Sequence, residues 1–558
     1  MSQHYQGVGG ASGVMVGRAF RYLPTASTSA TTEAPEDADE AMQRFAVAQQ
    51  ESAASLQTLA DRMRSEGHAA EAGIFEAQAM LVEDFTLTDE VEQRVRGAGM
   101  SLEQAIIAAT RQMHDTLAAL DDPYLRERAA DMQAVERAML NTLRGTTATL
   151  RDLPAGTVII APDLTPAETS ELRGNTALGF VTAYGGPTGH TAILARSLGI
   201  PAVVGVGQDV LNIPGGATVI VDGDQSLLIV QPTEAEVAHY QERGAAQDAA
   251  QIRRAALRDT PGQFADGRPV ALWANIGRPD EAQIARSYGA EGIGLFRSEF
   301  LFLERNEPPT EDEQYTAYRT TLEAMEGRTV IVRTLDIGGD KPLPYLPMPS
   351  EPNPFLGVRG LRLSMQRPDL FQAQLRALLR AASHGDIWIM LPMVATLADI
   401  TWARQQMRAA SEALTAEQIT HRATVPLGVM IETPAAAMTV DLLAAEADFF
   451  SVGSNDLTQY MMAVDRGNPT LAANYPHNAP AVLRMIAQAA AFAKKVGRHI
   501  GVCGELGGVP DVAPLLAAVG IDELSMSPAS IPVIKERLLG TTHADAHAAA
   551  RRVMGVTD

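Results

Sequence analysis

The sequence predicts a multidomain α/β protein, in which an α/β domain with an inserted α-helical bundle is followed by a (β/α)8 TIM barrel. Three observations carry that expectation. At 558 residues the chain is too long for one hydrophobic core, since domains run to roughly 150 residues each. Its texture changes twice, because an Ala-, Gln-, Glu- and Arg-rich block at 36–144 sits between stretches of short β-rich runs. From residue 268 onward, strand-like and helix-like segments alternate through eight units, the regular repeat of a closed parallel barrel.

Taken in order, residues 7–20 read as a Gly-rich, strand-like start, and a Pro/Ser/Thr/Ala-rich link covers 24–35. The helical block shows apolar residues at helical spacing, with Phe75, Met80, Leu81 and Phe85 in one stretch and Leu117, Leu120, Tyr124 and Leu125 in another. That pattern predicts three or four long antiparallel helices. Short β-rich runs then follow at 157–160, 178–182, 202–206, 218–221 and 227–230, separated by Gly and Pro. Thr233-Glu-Ala-Glu236 is a capping box opening a polar helix to about residue 258, read as a linker. The eight barrel strands are expected at 270–275, 292–297, 330–335, 387–392, 427–432, 449–452, 499–503 and 523–526.

Composition excludes several classes of function. Lys plus Arg total 45 against 67 Asp plus Glu, a formal charge of -22. Such a surface repels nucleic acid and anionic lipid. A small anion would need a locally basic pocket. The single cysteine, Cys503, allows no internal disulfide. The amino terminus lacks a basic segment followed by an apolar one, and no apolar run approaches ~18 residues. A cytoplasmic protein with no membrane insertion is the expectation.

Barrels of this kind carry their chemistry where strands end at the carboxyl face. Those ends present Arg297, Arg333, Glu432, Asn455 with Asp456, Arg466, and Cys503. Taken singly, each has a plainer reading, as a structural ion pair, a helix cap, a turn residue or a buried thiol. Their occurrence together on consecutive strand ends favours a site. Glu432 and Asp456 could hold one hard cation, because magnesium commonly takes one or two carboxylates plus substrate oxygens. The arginines suit forked recognition of phosphate and carboxylate. In the amino-terminal half, the Gly-rich turn Gly185-Gly-Pro-Thr-Gly-His190 runs into a short helix from Thr191. A helix start favours phosphate, and a neutral imidazole is a competent phosphoryl acceptor near neutral pH. The opposing reading makes His190 only a cap in a tight loop.

These motifs together resemble enzyme I of the bacterial phosphoenolpyruvate-dependent sugar phosphotransferase system. The resemblance covers nearly the whole chain and rests on Gly185-Gly-x-Thr-x-His190-Thr, Gly294-Leu-x-Arg297-x-Glu299-Phe-Leu, Arg333-Thr-x-Asp-Ile-Gly-Gly-Asp-Lys341, Asn353-Pro-Phe-Leu-Gly357, Glu432-Thr-Pro-Ala-Ala436, Asn455-Asp-Leu-Thr-Gln-Tyr460, Val464-Asp-Arg-Gly467 and Cys503-Gly-Glu505. It implies that His190 is the phosphorylated nucleophile and Cys503 the acid that protonates the enolate carbon. It implies that Glu432 and Asp456 ligate Mg2+, and that Arg297, Arg333, Asn455, Asp456, Arg466, Arg359 and Lys341 contact phosphoenolpyruvate. Thr169, in Pro166-Ala-Glu-Thr169, is implied to orient the His190 ring. The helical insertion would receive the HPr phosphocarrier protein, pyruvate would leave, and the barrel would form a homodimer. The family usually carries an arginine and a serine where this chain has Pro187 and Gly189.

The expected domains are 1–23 with 146–232 (phosphohistidine α/β), 36–145 (helical, carrier-binding), 233–260 (linker helix) and 261–558 (barrel). The expected activity is that of a phosphoenolpyruvate-protein phosphotransferase, opening sugar uptake. Because His190 and the barrel fall in different domains, large hinge motions are expected.

Overall fold

The computed structural model describes residues 2–22, 37–65, 69–118, 123–144, 153–164, 178–186, 191–192, 195–196, 199–303, 305–338, 343, 345–349, 351–465, 468, 471 and 474–556. They form two units, Met1–Ala249 and Ala250–Asp558. No helix among the described residues is long and apolar enough to cross a membrane.

The first unit is built on an eight-stranded sheet. Its strands are β1 (Gln3–Gln6), β2 (Val8–Ala11), β3 (Val14–Arg21), β4 (Thr157–Ala161), β5 (Leu178–Thr182), β6 (Ala202–Val204), β7 (Thr218–Asp222) and β8 (Leu227–Val230). Their spatial order is β1-β8-β7-β3-β4-β5-β6-β2. The centre, β3 to β6, runs parallel. β4 is buried at all five positions, as expected of a parallel strand covered on both faces, which therefore reads as a continuous apolar run. The start at 7–20 that the sequence suggested as one strand-like segment holds two strands, β2 and β3, with β1 ahead of it. Gly13, at φ +116°, turns the chain between β2 and β3, a conformation that favours glycine.

The helices α1 (Ala38–Ser65), α2 (Ala69–Val82), α3 (Phe85–Glu92), α4 (Leu102–Ala118) and α5 (Pro123–Arg144) lie between β3 and β4. Five described helices replace the expected three or four, because both apolar stretches are interrupted. Asp84 caps α3 by accepting the Thr86 N–H, which separates Phe85 from α2. Proline opens α5, so Leu117 and Tyr124 belong to different helices. Phe45, Phe75, Leu87, Val91, Ile106 and Val135 fill the bundle core. Full burial of such a side chain contributes about 1.5–3 kcal/mol. Met80 and Phe85, expected on the same face as Phe75, are instead 73% and 80% exposed.

The capping box of the following helix, Glu234–Ala256, forms as expected. Thr233 N–H donates to Glu236 at 2.7 Å, and Glu236 N–H donates to Thr233 Oγ1 at 3.3 Å. The helix also packs on the sheet of the first unit. Its one buried residue, Tyr240, packs on Ile220 and Ile229. Arg243 donates to the buried Asp222 at 2.7 Å.

The second unit is a closed barrel of eight parallel strands. They are β9 (Ala271–Ile276), β10 (Ile293–Arg297), β11 (Val330–Arg333), β12 (Ile387–Leu391), β13 (Leu427–Ile431), β14 (Phe449–Val452), β15 (His499–Val502) and β16 (Glu523–Met526), with β16 returning to β9. Each overlaps an expected strand. Several end a residue or two early, which leaves Leu335, Glu432 and Cys503 just beyond their strands. Trp273, Leu295, Ile331, Met390, Met430, Phe449 and Cys503 form one buried cluster in the interior, so the barrel is a packed core and not a pore.

Candidate active site

A cavity of about 660 Å³ opens at the carboxyl ends of the barrel strands, and its walls include Arg297, Arg333, Glu432, Asn455, Asp456 and Cys503. The period of the fold explains this convergence. Each βα unit returns the chain to the same face, so residues far apart in sequence meet there. Arg359 joins from behind the cavity wall through its bonds to Asp336 and Asp456, at 3.0 and 3.2 Å.

The arginines divide into two kinds. Arg333 is almost fully buried, paired with Glu299 and with Asp336 at 3.1 Å. Burial opposes its charge, as it does for Arg359, but the surrounding carboxylates outweigh burial and hold both above the ordinary guanidinium value. These two side chains are fixed in place. Arg297 is only half-buried, and no ion pair or side-chain hydrogen bond engages it among the described residues. Its fork is free to meet an anion.

Glu432 is a buried carboxyl of the cavity wall. Met393 holds a left-handed φ of 56°, uncommon for a non-glycine residue, and donates its N–H to Glu432 Oε1 at 2.5 Å. Oε2 is buried with no hydrogen-bond partner among the described residues. Burial, reinforced by the charges of Asp336 and Asp456, pushes Glu432 up to about 8. Among the described residues the cavity wall carries five carboxyl groups, Glu299, Asp336, Glu432, Asp456 and Glu505, beside Arg297 and Arg333. No three His, Cys, Asp or Glu side chains among the described residues group into a complete metal cage. The Glu432 Oε2, unbonded among the described residues, with Asp456 fits a magnesium ion held partly by protein and partly by ligand oxygens.

Cys503 is buried, and burial pushes its thiol up to about 12. It is therefore a protonated thiol near neutral pH. Asn275 donates to the Cys503 carbonyl at 3.0 Å and fixes the backbone there. Asn455 Oδ1 accepts the Glu505 N–H at 3.2 Å, tying the loop after β14 to the loop after β15.

In the first unit, the described part of the histidine loop is anchored to the ends of two parallel strands. Thr191 Oγ1 donates to Asp163, just past β4, at 3.0 Å. Thr182, the last residue of β5, donates to the Tyr184 carbonyl at 2.7 Å. Gly205, at φ +63°, passes so close to Gly185 that a Cβ would lie 2.8 Å from its carbonyl oxygen. Residues 191–192 and 195–196 are helical, as expected. His190, Thr169, Lys341 and Arg466 lie outside the described residues.

The structure thus brings together Arg297, Arg333, Arg359, Glu432, Asn455, Asp456 and Cys503. Sequence reasoning missed Asp336 as the hub joining two arginines, although it stood in a quoted motif just past β11. It also missed Gln374, which accepts the Leu335 N–H and donates to Ser298, at 2.9 and 3.0 Å. Ser298 in turn donates to the Arg333 carbonyl at 2.6 Å. Nothing in the helix containing Gln374 marks it, since a glutamine among leucines reads as surface.

Three family models match the chain: the PEP-utilising enzyme N-terminal domain at residues 6–128, the mobile domain at 153–226 and the PEP-binding domain at 251–543. A phosphoenolpyruvate-protein phosphotransferase of Bacillus sp. (strain S) is 41% identical over 94% of this chain and 91% of its own length. The phosphoenolpyruvate-protein phosphotransferase of Bacillus subtilis is 37% identical over 100% and 97%. A multiphosphoryl transfer protein of Xanthomonas campestris is 46% identical over 85% of this chain and 56% of its own length.

Proposed function

This chain belongs to the PEP-utilising enzymes, among the phosphoenolpyruvate-protein phosphotransferases, and from that premise we propose that it moves the phosphoryl group of phosphoenolpyruvate onto its own His190 and then onto HPr, releasing pyruvate. The observation that supports this reading is one cavity lined by Arg297, which no ion pair engages among the described residues, and by a carboxyl set in which Glu432 Oε2 has no hydrogen-bond partner among them. A small ligand bearing both phosphate and carboxylate suits that wall.

In this mechanism Arg297 grips the anion, while Arg333 and Arg359, already oriented by Asp336, add fixed positive charge. Charge preset in this way needs no reorganisation during reaction. Asn455, its oxygen taken by the Glu505 N–H, turns its amide donors toward the ligand. Lys341 and Arg466 complete the phosphate contacts by their motifs. Magnesium held by Glu432 and Asp456 would neutralise charge on the phosphate and on the departing enolate oxygen. His190, its tautomer set by Thr169, attacks phosphorus in line, which asks little of the protein beyond positioning and charge. Cys503 gives its proton to the enolate carbon, a task its high affinity for that proton leaves open throughout the neutral range.

The phosphohistidine domain is assigned to 1–23 with 146–232, the carrier-binding bundle to 36–145, the linker helix to 233–260, and the barrel, as the homodimer interface, to 261–558. Met80 and Phe85, exposed on the bundle, suit a carrier that covers apolar surface. A cytoplasmic location at the head of sugar uptake follows from the same assignment.

Incubation with radiolabelled phosphoenolpyruvate and magnesium should leave acid-labile label on the protein, and HPr should remove it. H190A should take none. Undiminished label on H190A would end the assignment of the nucleophile.

A further inference from the structure

The barrel interior holds an acid that the mechanism above leaves idle. Glu523, on β16, is completely buried. Its Oε1 accepts a hydrogen bond from Ser525, and its Oε2 has no hydrogen-bond partner among the described residues. Glycines on two other strands make room for the carboxyl and its serine. A Cβ on Gly501 of β15 would lie 1.8 Å from Oε2, and one on Gly294 of β10 would lie 1.6 Å from Ser525 Oγ and 2.6 Å from Oε1. Neither glycine has a positive φ, so space and not backbone conformation demands them. An ionised carboxylate would be costly in such a pocket. Burial outweighs the Ser525 hydrogen bond and, with Asp522 nearby, pushes Glu523 up to about 8.

The strand register sets this acid in a row with a second unused group. Ser451 of β14 pairs with Gly501 of β15, and Gly501 pairs with Glu523 of β16. Two residues past Gly501, on the same side of the strand by the two-residue period, stands Cys503. Ser451 Oγ is buried and makes no hydrogen bond among the described residues, while the neighbouring Cys503 thiol donates to the Val452 carbonyl at 3.6 Å. A charge on Glu523 would reach the same sulfur. The other charges bearing on the row are Asp522 on the Glu523 side and Arg333 and Glu432 on the Cys503 side.

We propose that Glu523 is a proton reserve that, by way of Ser451, returns Cys503 to its thiol form after each turnover. The inference rests on the reading of Cys503 as the acid. When the enolate carbon is protonated, a C–H bond forms, the S–H bond breaks and the electron pair stays on sulfur. The Ser451 hydroxyl proton then passes to sulfur while the Glu523 proton passes to the Ser451 oxygen. Glu523 is left as a carboxylate, and a proton from water refills it once pyruvate has gone. Each turnover fixes one solvent proton at carbon without any change of oxidation state. Transfer from the acid to a thiolate is downhill, because the buried thiol holds its proton more tightly than the buried acid does.

Rapid-quench measurement of pyruvate, on the full chain with phosphoenolpyruvate, magnesium and the carrier, separates the first turnover from later ones. The first uses a thiol already loaded, and only later ones need the reserve. E523Q and S451A should each release the first pyruvate at the unaltered rate and then turn over about tenfold more slowly or worse. C503A should lose the first release itself. Any other pattern in the folded variants of Glu523 and Ser451, including equal slowing of both phases, overturns the reserve. A full-rate first release in C503A overturns the reading of Cys503 instead. Infrared spectra with magnesium at neutral pH give a readout that a structural role would not move. The unaltered protein should show the carbonyl stretch of a buried protonated carboxyl, lost in E523Q, and its absence would overturn the proposal even if a variant failed to fold.

Discussion

Arg297 and Asp336 lie in one cavity wall but carry different burdens. Arg297 has no ion-pair partner to lose among the described residues, so R297A should leave stability unchanged while lowering kcat/KM for phosphoenolpyruvate by about a hundredfold, the loss of a forked, charge-assisted contact. Asp336 holds Arg333 and Arg359 in a buried network, and removing one partner of a buried pair costs about 3–5 kcal/mol. D336A should therefore lose activity and stability together, and urea unfolding beside steady-state kinetics separates the two variants. Glu523 gives a pH signature. An acid held up to about 8 when folded, against about 4.3 when unfolded, binds more protons in the folded chain between those values. Its contribution is complete below about pH 4 and is lost as pH rises to 8, by at most about 1.4 kcal/mol per unit. The unfolding free energy of E523Q, measured over the same range, should fall less steeply than that of the unaltered protein.

Among the elements, the strands are where space is most tightly allotted. G501A would put a methyl group onto the Glu523 carboxyl, and overpacking of this kind costs about 1–3 kcal/mol. If the clash is with that carboxyl, G501A should be less harmful in an E523A background, and a double-mutant cycle in urea reads the difference. Strand identities were legible beforehand, because parallel barrel strands are short apolar runs bounded by turn residues. Helix boundaries in the bundle were less so. The row Phe75, Met80, Leu81, Phe85 has helical spacing, but a single cap at Asp84 breaks it, and spacing alone does not register a cap that redirects the next turn.

At the scale of the whole chain, His190 lies in the first unit's sequence and Cys503 in the second. The proposed reaction requires one nucleophile to serve a cavity and then a carrier, so the two units must rearrange between half-reactions. A crosslink tying the units together should slow at least one half-reaction, as followed by label arriving on the protein and label leaving for the carrier. Full rates for both would contradict the requirement.

The order of elements, the eight-fold repeat and the residue types at the strand ends are written in the linear sequence, because local periodicity and turn chemistry suffice to specify them. The sequence alone therefore determined the fold class and the candidate site residues at the barrel mouth. Only the tertiary structure decided which arginine is free and which are bound, that Asp336 joins two of them, that Gln374 supports the wall from a helix, and that Gly294 and Gly501 are absent side chains kept for Glu523. These are facts about residues far apart in the chain. They arise from the closure of the barrel, which brings distant strands into contact and removes water from between them, and no local pattern encodes a partner that only closure supplies.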